Sequence, residues 1–574
     1  MRISALFMLT ALVACAPETP HADLILHNGR VYTLDWPDPD GRGRPAASAP
    51  FDSVRGWHPD ASAVAVRDGH VIYVGTDSGA LALRGDSTAV RDLDGNVLLP
   101  GMVDSHTHVA EYGQSLDRIN LTGVATEQEA VDLVVQRAAR TPKGEWIVGW
   151  GWDEGAWANR YPDKRLLSRL VPDHPVLLRG LHGFAAWTNE RALAEAHIDA
   201  ATVPPVGGEI RRGTDGTANG VFINRAVKLV DDAVPQPSSV QRDSQIVRAL
   251  REMASAGFTG VHEAGTPRDV VDALLRLDAA GRLPIRVYVM LDGRDSSLVR
   301  EWIARGPLTG TDSSHLTIRA VKAYYDGALG SRGAQLLEDY SDRLGNRGVS
   351  GAAYGFDHMV AGSAMAAGFQ LAVHAIGDAG NRASLNFIDS VMAAAPGARN
   401  LRHRIEHAQV VHPNDVARFA SLGVIASMQP PHAVEDMPWA EERLGPVRVR
   451  GAYAWRALRE AGARLVFSSD LPGSDWNLFY GLHSAMFRQD KHGVPVGGWF
   501  PDQRMSAEEA VRGYSSWAAY AGFDEASGGA IAVGKRADFT AISVDPLRVE
   551  SGAALLAGRV RLTVVNGRIV PNEP

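Results

Sequence analysis

His106 and His108, one residue apart, close an apolar run that starts at Leu99 and reads Leu99-Pro-Gly-Met-Val-Asp-Ser-His-Thr-His-Val-Ala110. On an extended strand the side chains alternate between faces, so both imidazoles project from the same side. Two convergent imidazoles can hold a borderline-soft divalent ion such as zinc. Alone, His-x-His is a modest signal, because many such pairs are incidental. Four more strand-like runs end in the same manner. Leu316–Val321 leads into Lys322, Leu371–Val373 into His374, Arg404–Glu406 into His407 and Leu465–Ser469 into Asp470. Each of these residues also has a structural reading. Lys322 could serve an ion pair, His374 and His407 could be hydrogen-bonded core histidines, and Asp470 could cap a helix.

The elements that must carry these residues follow from the pattern around them. Strand candidates lie at Val97–Val103, Gly260–Glu263, Pro284–Leu291, Leu316–Tyr324, Gln370–His374, Arg404–His407, Val424–Met428 and Arg464–Ser469, with helical stretches between them. Alternating strands and helices predict an α/β fold with a parallel sheet. Eight such units fit a (β/α)8 TIM-type barrel over residues 99–525, whose chemistry belongs at the strand exits. An insertion at about 112–250 separates the first two strands and gathers Trp146, Trp150, Trp152, Trp157 and Trp187, which we read as packing residues. Residues 23–35 predict a hairpin about Asn28-Gly29, with further turns at Asp68-Gly69 and Asn566-Gly567. Residues 36–60 read as a surface insertion, and Ser506 with Glu509 as a capping box. Short strands at both ends, in residues 23–98 and 526–574, predict one small β-sandwich built from both termini.

Taken together, these motifs resemble the amidohydrolase superfamily, which carries His-x-His on the first barrel strand, Lys on the fourth, His on the fifth and sixth and Asp on the eighth. The flanking text is similar to the YtcJ-like, N-substituted formamide deformylase-like branch. The segments that carry this resemblance are Trp146–Asp153, Val321–Arg332, His374–Asp378, Arg402–His407, Met428–His432 and Gly534–Phe539. The resemblance implies an urease-like β-sandwich beside the barrel and hydrolysis of C–N bonds in a small molecule. By position it implies that His106, His108, Lys322, His374, His407 and Asp470 are metal ligands. Lys322 would be carboxylated, which turns a cation into an anionic oxygen ligand. Asp470 would also move protons, and one or two divalent ions, zinc foremost, would activate water. His432 becomes a candidate substrate contact. His403 is read as structural, and Arg332, Asp326 and Asp378 as residues that orient loops. One departure stands out: Phe184, in His182-Gly-Phe184, replaces a histidine common in the branch, so a relative's substrate does not transfer. Ester, lactone or carbamate hydrolysis on the same site is one alternative. A non-catalytic lipoprotein that keeps the barrel as a scaffold is another.

Composition narrows the partners. A net charge of −8 carries no basic footprint for nucleic acid. Met1-Arg2 followed by the apolar Ile3–Val13 reads as a signal peptide, too short to span a bilayer. Leu12–Cys15 resembles the bacterial lipobox, which implies residues 1–14 as leader, lipidation of Cys15 and a linker at 15–22. Cys15 is the single cysteine, so disulfides are excluded. The expected location is the bacterial periplasm, anchored by lipid, with the outer membrane favoured over the inner. The membrane contact is that anchor alone, and a homodimer stands beside a monomer as a candidate assembly.

Overall fold

The computed structural model describes residues 21–152, 161–180, 185–205, 207–311 and 313–571. Cys15, Trp157, His182 and Phe184 lie outside the described residues. Within them the chain forms two compact units, Val109–Ala249 and the remainder.

The larger unit is organised around a parallel sheet of eight strands: β1 (Met102–Thr107), β2 (Phe258–Thr266), β3 (Arg286–Asp292), β4 (Leu316–Tyr324), β5 (Gln370–Ala375), β6 (Arg404–His407), β7 (Ile425–Met428) and β8 (Leu465–Phe467). Each strand pairs with its neighbour in sequence. Just past β8, the chain closes the sheet on β1 through a parallel bridge between Thr107 and Leu471. There the Asp470 N–H donates to the His106 carbonyl at 3.0 Å, and the His108 N–H donates to the Leu471 carbonyl at 2.8 Å. The result is a (β/α)8 barrel. Its strands are buried on both faces, and β3 and β5 accordingly read as nearly unbroken apolar runs. Helices such as Arg268–Ala279 cover them with an apolar stripe, here Val270, Val271, Leu274 and Leu277.

Period-two alternation sorts the barrel interior into layers. Ala264, Tyr288, Met290, Ala320 and Ala372 form an interior cluster with Phe523 packed against it. Two residues further along β4 and β5 come Lys322 and His374, aimed at the exit.

Residues from both termini build two small sheets in this same unit. One holds Ala22–His27, Ala63–Arg67, His70–Gly75 and Arg84–Asp92; the other holds Arg30–Val31, Val97–Pro100, Phe539–Ile542, Val560–Val565 and Arg568–Ile569. Leu24, Leu26, Val64 and Val66 of the first share a core with Leu98, Phe539, Ala541 and Val564 of the second, which makes a sandwich.

Two local expectations change. Asn28-Gly29 does not turn a hairpin, because Ala22–His27 and Arg30–Val31 lie in different sheets. A Cβ at Gly29 would strike Leu93, and the Gly29 N–H is bound to the Ser62 carbonyl, so the dipeptide carries the chain across the sandwich. Val97–Val103 is not one strand but two. Val97–Pro100 pairs with Phe539–Ile542, and β1 begins after Gly101, where any Cβ would collide with Thr259. Residues 36–60 form a largely exposed surface insertion, as expected, and it is fastened down at a few buried points. Trp36 and Trp57 are buried, Trp36 donates to Glu508 at 2.8 Å and Arg459 donates to the Pro39 carbonyl at 3.0 Å. The turns at Asp68-Gly69 and Asn566-Gly567 do close antiparallel pairs, with all four residues at positive φ as a type I′ turn requires. The Ser506–Glu509 capping box is present on Ala507–Gly513.

The second unit, Val109–Ala249, has a six-stranded mixed sheet and its own apolar clusters. Trp152 and Trp187 are fully buried there with ring centroids 6.5 Å apart, so both are packing residues. Trp146 is half-buried, and Trp150 is exposed.

Candidate metal centre

The exits of six barrel strands converge on one cluster. His106 is the last interior-facing residue of β1, and His108 follows two positions later on the same side, with ring centroids 5.5 Å apart. His407 reaches the cluster differently. Its neighbour Glu406 already faces the interior, so alternation alone would turn His407 outward; a φ of 74° swings it back to the mouth. Asp470, past the end of β8, is also held at positive φ, 63°. Non-glycine residues in this region are uncommon and gather where a site over-determines the backbone.

The geometry brings every sequence-derived site residue among the described residues together. The Asp470 carboxylate lies 3.2 Å from His108 Nε2, 3.5 Å from His106 Nε2 and 3.8 Å from His432 Nε2. Lys322 Nζ lies 3.0 Å from His106 Nε2. The His374 and His407 rings are 4.5 Å apart, and the His106 and His407 rings 5.0 Å apart.

Burial sets the protonation of this cluster. It pushes His106 down to about 4 and His374 to about 3, with the Lys322 charge adding to the effect. His407 is held well below the ordinary histidine range by burial and by the neighbouring imidazole of His374. Burial also lowers Lys322, to about 8. For Asp470 burial works upward, but the surrounding imidazoles outweigh it and hold the carboxyl well below its usual range. His108 goes the other way from its sisters: burial lowers it, yet its hydrogen bond to Asp470 and that charge raise it overall.

The neutral imidazoles of His106, His374 and His407 around an ionised carboxylate are donors a divalent cation takes. The ligand atoms of His106, His108 and Asp470 lie within 4.8 Å of one another, as do those of His407, His432 and Asp470. His374 Nε2 is buried and makes no hydrogen bond, so its lone pair is unspent. His106 Nδ1 faces Glu406 Oε2 at 2.5 Å and His407 Nδ1 faces Gln429 Oε1 at 2.9 Å, which places each ring proton on Nδ1 and leaves Nε2 to coordinate. The residues present fit a metal ion.

Second-tier residues brace the loops of the mouth. Asp326 accepts the backbone N–H groups of Gln335, Ile376 and Gly377 at 2.8 to 2.9 Å. Asp378 accepts the Leu337 N–H at 2.9 Å, and Arg332 pairs with Asp342 at 2.6 Å. His403 is a core histidine with both nitrogens bonded to backbone. Sequence reasoning missed Glu406, Arg404, Gln429 and His262. Their signal was faint: Arg404 and Glu406 lie within β6, His262 within β2, and Gln429 directly after β7, and no local spacing sets them apart from ordinary polar residues.

A closed parallel barrel with imidazoles and a carboxylate at its strand exits defines a metal-dependent hydrolase architecture. The model of the amidohydrolase family matches residues 89–571, and the chain belongs to that family. Its relatives place it in the YtcJ-like branch. YtcJ of Bacillus subtilis (strain 168), an amidohydrolase by assignment, is 31% identical over 489 residues, 83% of this chain and 89% of YtcJ. The N-substituted formamide deformylase of Arthrobacter pascens is 26% identical over 514 residues, 86% of this chain and 92% of the deformylase. A metal-dependent hydrolase of Pyrococcus furiosus, itself uncharacterized, superposes with a TM-score of 0.72 at 25% identity and covers 92% of this chain and 100% of its own. The protein is a metal-dependent amidohydrolase; neither the ester-cleaving nor the scaffold alternative is favoured.

Proposed function

We propose that the protein hydrolyses a C–N bond in a small amide, N-acyl or N-formyl compound. The observation that carries this reading is the Asp470 carboxylate, ionised and set 3.2 to 3.8 Å from the nitrogens of His108, His106 and His432 in a mouth that also holds Lys322. His106, His108, His374, His407 and Asp470 would hold the metal, joined by Lys322 once its amine has added CO2 and become an anionic carbamate. When bound, a divalent ion, zinc on the softness of its imidazole donors, polarises the scissile carbonyl and makes water acidic near pH 7. Asp470 accepts a proton from the attacking water as the new C–O bond forms. It then gives that proton to the leaving nitrogen as the C–N bond breaks, releasing a carboxylic acid and an amine. His432, stacked on His407 at 6.0 Å, would touch the substrate beside Asp470. The similarity to an N-substituted formamide deformylase supports hydrolysis of a C–N bond.

The test is metal analysis followed by chelation on the purified full chain, with activity profiled on N-formyl and N-acyl amines against matched esters. We expect bound zinc, loss of at least about 100-fold in rate on chelation with recovery on adding metal, and a preference for amides. Protein without metal, or turnover of the esters alone, would overturn the reading.

A further inference from the structure

Beneath the metal centre the barrel interior is charged where most barrels are apolar. Arg404 and Glu406 alternate on β6 and both face inward, each completely buried. Glu406 Oε2 meets His106 Nδ1 at 2.5 Å. Arg404 Nη2 donates to the same carboxylate oxygen at 3.1 Å, and its Nε lies 2.7 Å from Glu406 Oε1 in an ion-pair contact outside hydrogen-bond geometry. The guanidinium is held on its other edges. Nη2 also donates to the Ser105 carbonyl at 2.7 Å and to Ser427 Oγ at 2.8 Å, and Nη1 donates to His262 Nδ1 at 2.9 Å.

Donor logic fixes the tautomers along this column. An arginine can only donate, so His262 Nδ1 is a lone pair and its ring proton sits on Nε2. A carboxylate can only accept, so His106 carries its proton on Nδ1 and offers Nε2 to the mouth. The charges of Arg404 and Glu406 cancel, so His106 receives a full-strength anionic acceptor while the centre gains no net charge. Such an arrangement has no evident packing purpose: apolar side chains of equal volume would fill the barrel with less desolvation cost.

We propose that Glu406 is a positioning residue for the metal centre, braced by Arg404 and, at the foot of the column, by His262, and that the three together fix His106 as an Nε2 ligand. This rests on the metal-centre reading above and extends it to residues that touch no substrate. His262 lies on β2, and its ring reaches the centre through Arg404 and Glu406, while its backbone carbonyl accepts from Thr107 Oγ1 at 3.1 Å, a bond that side-chain substitution leaves in place; the His262 ring is therefore the decisive position.

The experiment uses the full chain, stripped of metal and reloaded. Zinc affinity is measured by competition with a chromophoric chelator, the cobalt-loaded protein is read by its visible absorption, and the melting temperature of the apo protein is recorded alongside. For Glu406→Gln we expect zinc binding weakened about 10- to 100-fold and a changed cobalt spectrum. For His262→Phe, which removes the acceptor for Arg404, we expect a smaller loss in the same direction, and for His262→Gln, which keeps an acceptor, partial rescue. A merely structural role would shift the apo melting temperature and leave affinity and spectrum unchanged. If Glu406→Gln fails to fold, the two His262 variants decide. Variants that bind zinc within about twofold of wild type with the same cobalt spectrum overturn the proposal while the metal-centre reading stands. Wild-type protein that binds no metal overturns both.

Discussion

Strand β6 has a histidine near each end, and the two are spent differently. At the barrel base His403 uses both nitrogens on backbone: Nδ1 accepts the Leu371 N–H at 3.0 Å and Nε2 donates to the Ala398 carbonyl at 2.9 Å. At the mouth His407 ties only Nδ1, to Gln429, and Nε2 joins His432 and Asp470 in a group of mutually close ligand atoms. Both rings are buried, and burial lowers both pKa values, His403 to about 4. Burial and a depressed pKa therefore do not separate a functional histidine from a structural one. The unspent nitrogen does, together with the left-handed backbone at His407 that turns it into the mouth.

The largest effect that could break this contrast lies at the mouth. Asp470→Asn keeps the size of the side chain and removes both its charge and its capacity to accept a proton. We expect kcat to fall by about 10³ or more, with the fold intact by circular dichroism. Activity within about tenfold of wild type would mean that the mouth is no more reactive than the base. The converse substitution, His403→Asn, can keep an acceptor for Leu371 but strands the Ala398 carbonyl. It should cost about 1–3 kcal/mol in urea unfolding while leaving kcat of the folded enzyme unchanged. A drop in kcat without loss of stability would move His403 into the functional set.

The same contrast explains what could be read from the sequence. Residues at strand exits were legible because chemistry-bearing side chains recur at the ends of successive strand-like runs, and His106, Lys322, His374, His407 and Asp470 all stand in that place. The barrel was legible because strands buried on both faces leave unbroken apolar runs. Glu406 and Arg404 were not, since nothing local distinguishes a buried ion pair inside a strand from an exposed one; their partners His106 and His262 are 300 and 142 residues away. Turn chemistry was legible at Asn566-Gly567 and misleading at Asn28-Gly29. Both asparagines adopt positive φ, at 51° and 54°, but at Gly29 the packing of Leu93 and the bond to Ser62 lead the next strand into the other sheet. A dipeptide specifies a local bend, and distant partners decide which sheet receives the chain after it.

The smallest effect sharpens the contrast most, because it isolates one ring. His403 stays neutral in the fold because burial lowers its pKa to about 4, opposed only by its bond to the Ala398 carbonyl. In the unfolded chain it titrates near the ordinary value of 6.5. Below that value the unfolded state takes up a proton that the folded state refuses. The stability His403 contributes is therefore complete above about pH 6.5 and is lost as the pH falls toward 4. Asp104 and Asp326, both raised to about 7 by burial, oppose this trend: what they contribute is complete at low pH and lost as the pH rises through 7. The stability of wild type alone mixes these slopes. The difference between wild type and His403→Asn removes the carboxyls, because both proteins retain them. Between about pH 7 and pH 4.5 that difference should shrink by about 2 kcal/mol in urea unfolding. A difference that stayed constant would show His403 taking up protons equally in both states, and the closed histidine at the base would then be as open to protons as the ring at the mouth is to its partners.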